Sequence, residues 1–113
     1  MGEHSVTSGG PLRTEPDGSV IISLWGSVGP ERAAELRQLV VRTVRHVRPY
    51  RLVFDLTDAD TIDPINVGTL AAACTLGDDH EVPVFVDNPE PDLADRLCAA
   101  GVPPQNLRYV SRR

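Results

Sequence analysis

The chain has 113 residues, 41% of them hydrophobic and 24% charged, with 16 acids against 11 bases and a formal net charge of −5. That length holds one domain with a core large enough to fold without disulfide or metal staples, and the acidic balance argues against nucleic-acid and anionic membrane partners. All the bases are arginine, which excludes lysine Schiff-base chemistry, a Walker-type phosphate loop and a receiver-type phosphorylation site with its lysine.

Residues 1–10 are small and polar and are expected to form a flexible tail, with a single domain over 11–113. Residues 12–15, the turn Pro16-Asp17-Gly18 and the apolar run from Val20 to Trp25 read as an opening hairpin. Its second strand is nearly all apolar, so it should be central and covered on both faces. Gly29-Pro30-Glu31 then starts a helix over 30–48, with Ala33, Leu36, Val40, Val44 and Val47 as the apolar stripe and Pro49 as the stop.

Leu52-Val53-Phe54 is a short buried strand, followed by a polar loop. Asp63-Pro64 is an N-cap and first-turn proline for a helix through about Leu76, with Val67, Leu70, Ala71 and Cys74 on one face and Gly77 as its stop. A strand over 82–86 follows, then a helix with Leu93, Leu97 and Ala100 inward and Gly101 as its stop, and a last strand over 107–110. The order β-β-α-β-α-β-α-β makes this an α/β protein with a mixed sheet, mostly parallel, carrying an antiparallel edge hairpin.

Little in the chain reads as catalytic. Cys74 and Cys98 form no CxxC pair and read as buried reduced thiols. His4, His46 and His80 fall in the tail, on a polar helix face and in a loop, and there is no GxSxG elbow. Asp55, Asp58, Asp60 and Asp63 lack EF-hand spacing. The expectation is therefore no enzyme, no cofactor and no metal. A small α/β hydrolase using Cys74 or Asp63 is the alternative from another functional class. Charge is segregated, with six arginines between Arg32 and Arg51 and only acids between Asp55 and Asp95. Solvated faces and electrostatic orientation toward a partner both fit that pattern.

In sheets built from parallel crossovers, function collects in the loops at the carboxyl ends of the strands. The loop after Phe54 runs Asp55-Leu56-Thr57 to Asp63-Pro64-Ile65-Asn66-Val67-Gly68. It resembles the STAS domain family of bacterial anti-sigma factor antagonists, whose hallmark is a strand ending Asp-Leu-Ser, then Asp-Ser-Ser-Gly-Leu-Gly opening a helix. The resemblance spans about residues 12–110, including Leu24-Trp25-Gly26, the Asn88-Pro89 turn and the close of the helix from Leu97 to Gly101.

Asp55, Asp63 and Gly68 match the hallmark, and Val67 stands for its leucine; Pro64 and Ile65 take the two serine positions and Asn66 that of the first glycine. What the resemblance implies is a non-enzymatic, cytoplasmic, bacterial interaction module. It would bind a serine-kinase anti-sigma factor or related regulatory protein through Thr61, Asp63, Pro64, Ile65, Asn66 and Val67. In the family, phosphorylation of the second serine blocks docking; here that position is Ile65, which has no hydroxyl. Thr61 and Thr69 are the nearest hydroxyls. An accessory STAS subunit of a transport or signalling assembly is the alternative within the class, and a homodimer through an exposed sheet edge is left open. The fourth helix that often closes the family fold is expected to be short or absent.

Overall fold

The computed structural model describes residues 12–111; the expected tail over 1–10 lies outside them. Five strands form the main sheet: β1 (Leu12–Thr14), β2 (Ser19–Ser23), β4 (Arg51–Asp55), β6 (Val84–Asp87) and β7 (Leu107–Arg108), side by side in that order. The β1–β2 pair is antiparallel and the other pairings are parallel. The hairpin turns at Gly18, whose φ of 91° suits glycine. Two further strands, β3 (Gly26–Val28) and β5 (Ala59–Ile62), pair in parallel as a small second sheet. They go beyond the expected order: the polar loop after Asp55 contains β5, and β2 ends at Ser23 rather than running on through Trp25.

Three helices, α1 (Ala33–Arg42), α2 (Pro64–Asp79) and α3 (Pro91–Ala100), return the chain between the parallel strands. Val20, Ile22, Leu52, Phe54, Val84 and Val86 share one core with Leu36 and Val40 of α1, Leu70 and Cys74 of α2, and Leu93 and Leu97 of α3. All three helices therefore cover the same sheet face. The alternate residues of β2 and β4, Ile21 and Val53, point the other way and are buried as well. The depression they line is shared with Arg51 and Arg108, whose apolar stems can shield the sheet while their charged ends reach water. Thus β2 is buried on both faces, but helices supply only one of the covers.

Several boundaries differ from expectation for physical reasons. The helix over 30–48 is three pieces: a 3₁₀ turn at Pro30–Arg32, α1, and a π turn at Thr43–Val47 closed by the bond from the Arg48 N–H to the Thr43 carbonyl at 2.9 Å. The π turn inserts residues into the apolar period, and Val47 is rotated outward to 55% exposure. Gly77 does not stop α2, which continues to Asp79. Instead it lets the helix press on the next segment, since a Cβ there would lie 2.4 Å from the Val82 carbonyl oxygen.

Further along, β6 begins at Val84 rather than at 82, because the Val82 N–H is committed to the Gly77 carbonyl at 2.8 Å. The last strand is two residues long. Beyond it Asn88, at φ 60°, takes over the pairing: its side chain exchanges two hydrogen bonds with Val110, each 2.8 Å. Gly101 does end α3, at φ 119°. Among the described residues no α-helix follows it.

Candidate functional site at the start of the central helix

The start of α2 sits at the carboxyl end of the parallel strands, framed by β3 and β5. Asp63 leaves β5 in an extended conformation and caps α2. Its Oδ2 accepts the Ile65 N–H at 3.1 Å, and its carbonyl accepts the N–H groups of Asn66 at 2.9 Å and Val67 at 3.0 Å. Pro64 has no N–H. Every amide of the first turn is therefore spent inside the chain. A helix start ordinarily attracts phosphate through unpaired N–H groups, and this one offers none.

The six residues expected to meet a partner divide sharply. Pro64 and Thr61 are exposed, Asp63 is half-buried, and Ile65 projects outward at 54% exposure. Asn66 and Val67 point inward and are buried. Asn66 acts as a staple: its Nδ2 donates to the carbonyls of Val28 at 3.2 Å and Gly29 at 2.8 Å, tying the end of β3 to the first turn of α2. Its Oδ1 is buried with no partner among the described residues. Thr69 donates to the Ile65 carbonyl at 3.2 Å. Thr61 lies on β5 beside Ser27 of β3, both exposed, a pairing that sequence spacing does not reveal.

The nearby acids are scattered rather than convergent. Asp55 accepts the N–H and hydroxyl of Thr57 at 3.1 and 2.6 Å, and Thr57 in turn accepts from Asn88 at 2.9 Å. Asp58 and Asp60 are exposed. Among the described residues no three His, Cys, Asp or Glu side chains come together as metal ligands. Burial pushes the Cys74 thiol above its ordinary pKa, against the opposing effect of a hydrogen bond with Asn106. Cys98 is only half-buried, and His80 is not a free surface ring, since its Nδ1 lies 3.0 Å from the Leu76 carbonyl. No helix is long and apolar enough to cross a membrane, among the described residues.

From Ile65 an apolar groove of about 560 Å³ runs down between α1 and α2, lined by Val40, Val41, Gly68, Ala72 and Leu76. The sequence signal for it is the absence of charge from Pro64 to Gly77.

A small α/β module with a mostly parallel sheet, an antiparallel β1–β2 hairpin and three helices is the arrangement of the STAS fold. Among solved structures the chain is similar to the phosphorylated form of the Bacillus cell fate determinant SpoIIAA, with a TM-score of 0.79 and 13% identity over 91% of this chain and 92% of that one. The unphosphorylated form of the anti-sigma factor antagonist SpoIIAA gives a TM-score of 0.76 and 12% identity over 91% and 89%. A variant of RsbS from Moorella thermoacetica gives 0.72 and 13% over 92% and 87%. No protein-family model and no curated protein matches the chain. At these identities the likeness establishes the fold.

Proposed function

We propose that the protein is a non-enzymatic interaction module of the anti-sigma factor antagonist type. It docks the start of α2 on a serine-kinase anti-sigma factor, or a related regulatory protein, in the bacterial cytoplasm. No phosphorylation switches it at the usual position. The observation that carries this reading is Ile65: a branched hydrocarbon stands exposed where the resembling family bears its phosphoacceptor. The amides that would greet a phosphate are all engaged by Asp63. Thr61, Asp63, Pro64 and Ile65 form the contact surface, and Asn66 and Val67 hold it in shape from below.

Mixing the protein with purified serine-kinase anti-sigma factors tests this. Expected is a complex whose stability is the same with ADP and ATP, no incorporation of phosphate, and loss of the complex in Ile65→Asp without loss of thermal stability. Absence of a complex in every nucleotide state overturns the antagonist reading, and labelling of Thr61 or Thr69 overturns the absence of a switch. A second reading, an accessory subunit of a transport assembly, draws on likeness to the transporter SLC26A9, with a TM-score of 0.60 and 15% identity over 18% of that chain. Stable co-purification with a transport protein instead of a kinase would favour it.

A further inference from the structure

The helices form one layer in which α2 lies between α1 and α3 and packs on both. The two flanks carry opposite charge. On the α1 side Arg37, Arg42 and Arg45 are exposed, and none of them is ion-paired among the described residues; Glu35, at the start of α1, is taken by Arg32 at 3.3 Å. On α3 Asp92 and Asp95 are exposed, and its one base, Arg96, is turned to the Ile62 carbonyl at 3.3 Å.

Between the flanks α2 bears no charge from Pro64 to Gly77, yet Ile65, Gly68, Ala72 and Thr75 are exposed. Helices without a charged face are ordinarily buried all round. This one lacks a cover on one side from Ile65 to Thr75, roughly 15 Å of its length. A Cβ at Gly68 meets nothing within 4 Å, so the outer face also admits close approach of another backbone.

We propose that a second copy of the chain covers this face in a two-fold dimer whose axis runs parallel to α2. A rotation about that axis lays α1 of each copy over α3 of the other and brings arginines to aspartates on both sides. The alternative two-fold, with its axis across α2, lays α1 on α1 and opposes arginine to arginine. The flanking charges therefore select the first arrangement against the one opposing contact it creates, the exposed Asp79 at the end of the same stripe facing its own copy. The contact is isologous and closes on itself. The molecule measures 34 × 33 × 29 Å, so one face projects on the order of 1,000 Å², against the roughly 800 Å² per partner of a standard interface. The dimer covers Ile65, so self-association and docking of a regulatory partner exclude each other. The inference itself does not rest on the docking reading.

Sedimentation of the full chain tests it. At low salt the wild type should reach twice the 12.3 kDa chain mass, with at least tenfold weaker association at about 0.5 M salt. The variants Arg37→Asp/Arg42→Asp and Asp92→Arg/Asp95→Arg should each stay monomeric alone, and their equimolar mixture should recover the dimer. Gly68→Cys and Thr75→Cys, each in a Cys98→Ala background, should each cross-link to itself. Both positions are exposed and about 10 Å apart along α2, so antiparallel α2 helices would allow this at one of them at most, and the readout does not depend on the charge variants folding. The proposal is overturned by a monomer mass for the wild type up to about 1 mM, by charge variants that dimerise like the wild type, or by absence of the cross-link in either Gly68→Cys or Thr75→Cys.

Discussion

Two glycines of α2 should respond to the same substitution with opposite signs. In a helix interior glycine is about 1 kcal/mol less favourable than alanine. Gly68 is exposed and a Cβ there has open space, so Gly68→Ala should stabilise by about 0.5–1 kcal/mol. At Gly77 the new Cβ would stand 2.4 Å from the Val82 carbonyl oxygen and 2.6 Å from Val84 Cγ2. The Val84 side chain can turn aside, but the Val82 backbone is held by its own bond to the Gly77 carbonyl at 2.8 Å. Overpacking of this kind costs about 1–3 kcal/mol, and loss of that hydrogen bond adds about 1 kcal/mol. The helix-propensity gain offsets only part of this, leaving Gly77→Ala destabilised by roughly 1–3 kcal/mol. Urea unfolding followed by circular dichroism, with equal m-values across the set, measures both changes. A Gly77→Ala protein as stable as Gly68→Ala would refute the close approach of α2 to the segment after it.

Other consequences can be checked on the same protein. Asn66→Ala removes two donors from the Val28 and Gly29 carbonyls and should cost about 1–3 kcal/mol in unfolding free energy, with looser amide-exchange protection of β3. Asp63→Ala should lose about 1 kcal/mol of capping while Asp63→Asn keeps most of it, a difference visible in thermal melts. The Ser19 N–H, bound at 2.9 Å, holds the Asp17 carboxyl below its ordinary 3.8. Its contribution to stability is complete above that value and lost as pH falls below it, so Asp17→Asn should flatten the acid limb of the stability curve. In the native state iodoacetamide should label Cys98 and leave Cys74 untouched until the chain unfolds, as mass spectrometry of the intact protein would show.

Much of the fold was legible because it is written in local signals. The Asp63-Pro64 pair, the turn at Gly18 and the stop at Gly101 each constrain only neighbouring residues, and the structure shows all three as expected. Strands β3 and β5 were not legible. Each is three or four residues long, with exposed Ser27 and Thr61 inside it, so neither shows an apolar run or a sustained alternation. They exist because they find each other across more than thirty residues of chain. Gly77 departs from its local signal for a related reason: glycine near the end of an apolar stripe signals a stop, but here its missing side chain makes room for Val82.

The sequence by itself determined the periodicities, the caps, the loss of the hydroxyl at position 65 and the lack of charge from Pro64 to Gly77, because these are properties of residues and of near neighbours. Only the tertiary structure decided that Ile65 faces out while Asn66 and Val67 face in. It also decided that the first-turn amides are consumed and that a helix without charge from Pro64 to Gly77 lies uncovered on one side between an arginine flank and an aspartate flank. Those outcomes depend on which distant segments occupy the space around α2. The β3 carbonyls that capture Asn66 and the order of the three helices are set by packing the whole chain at once.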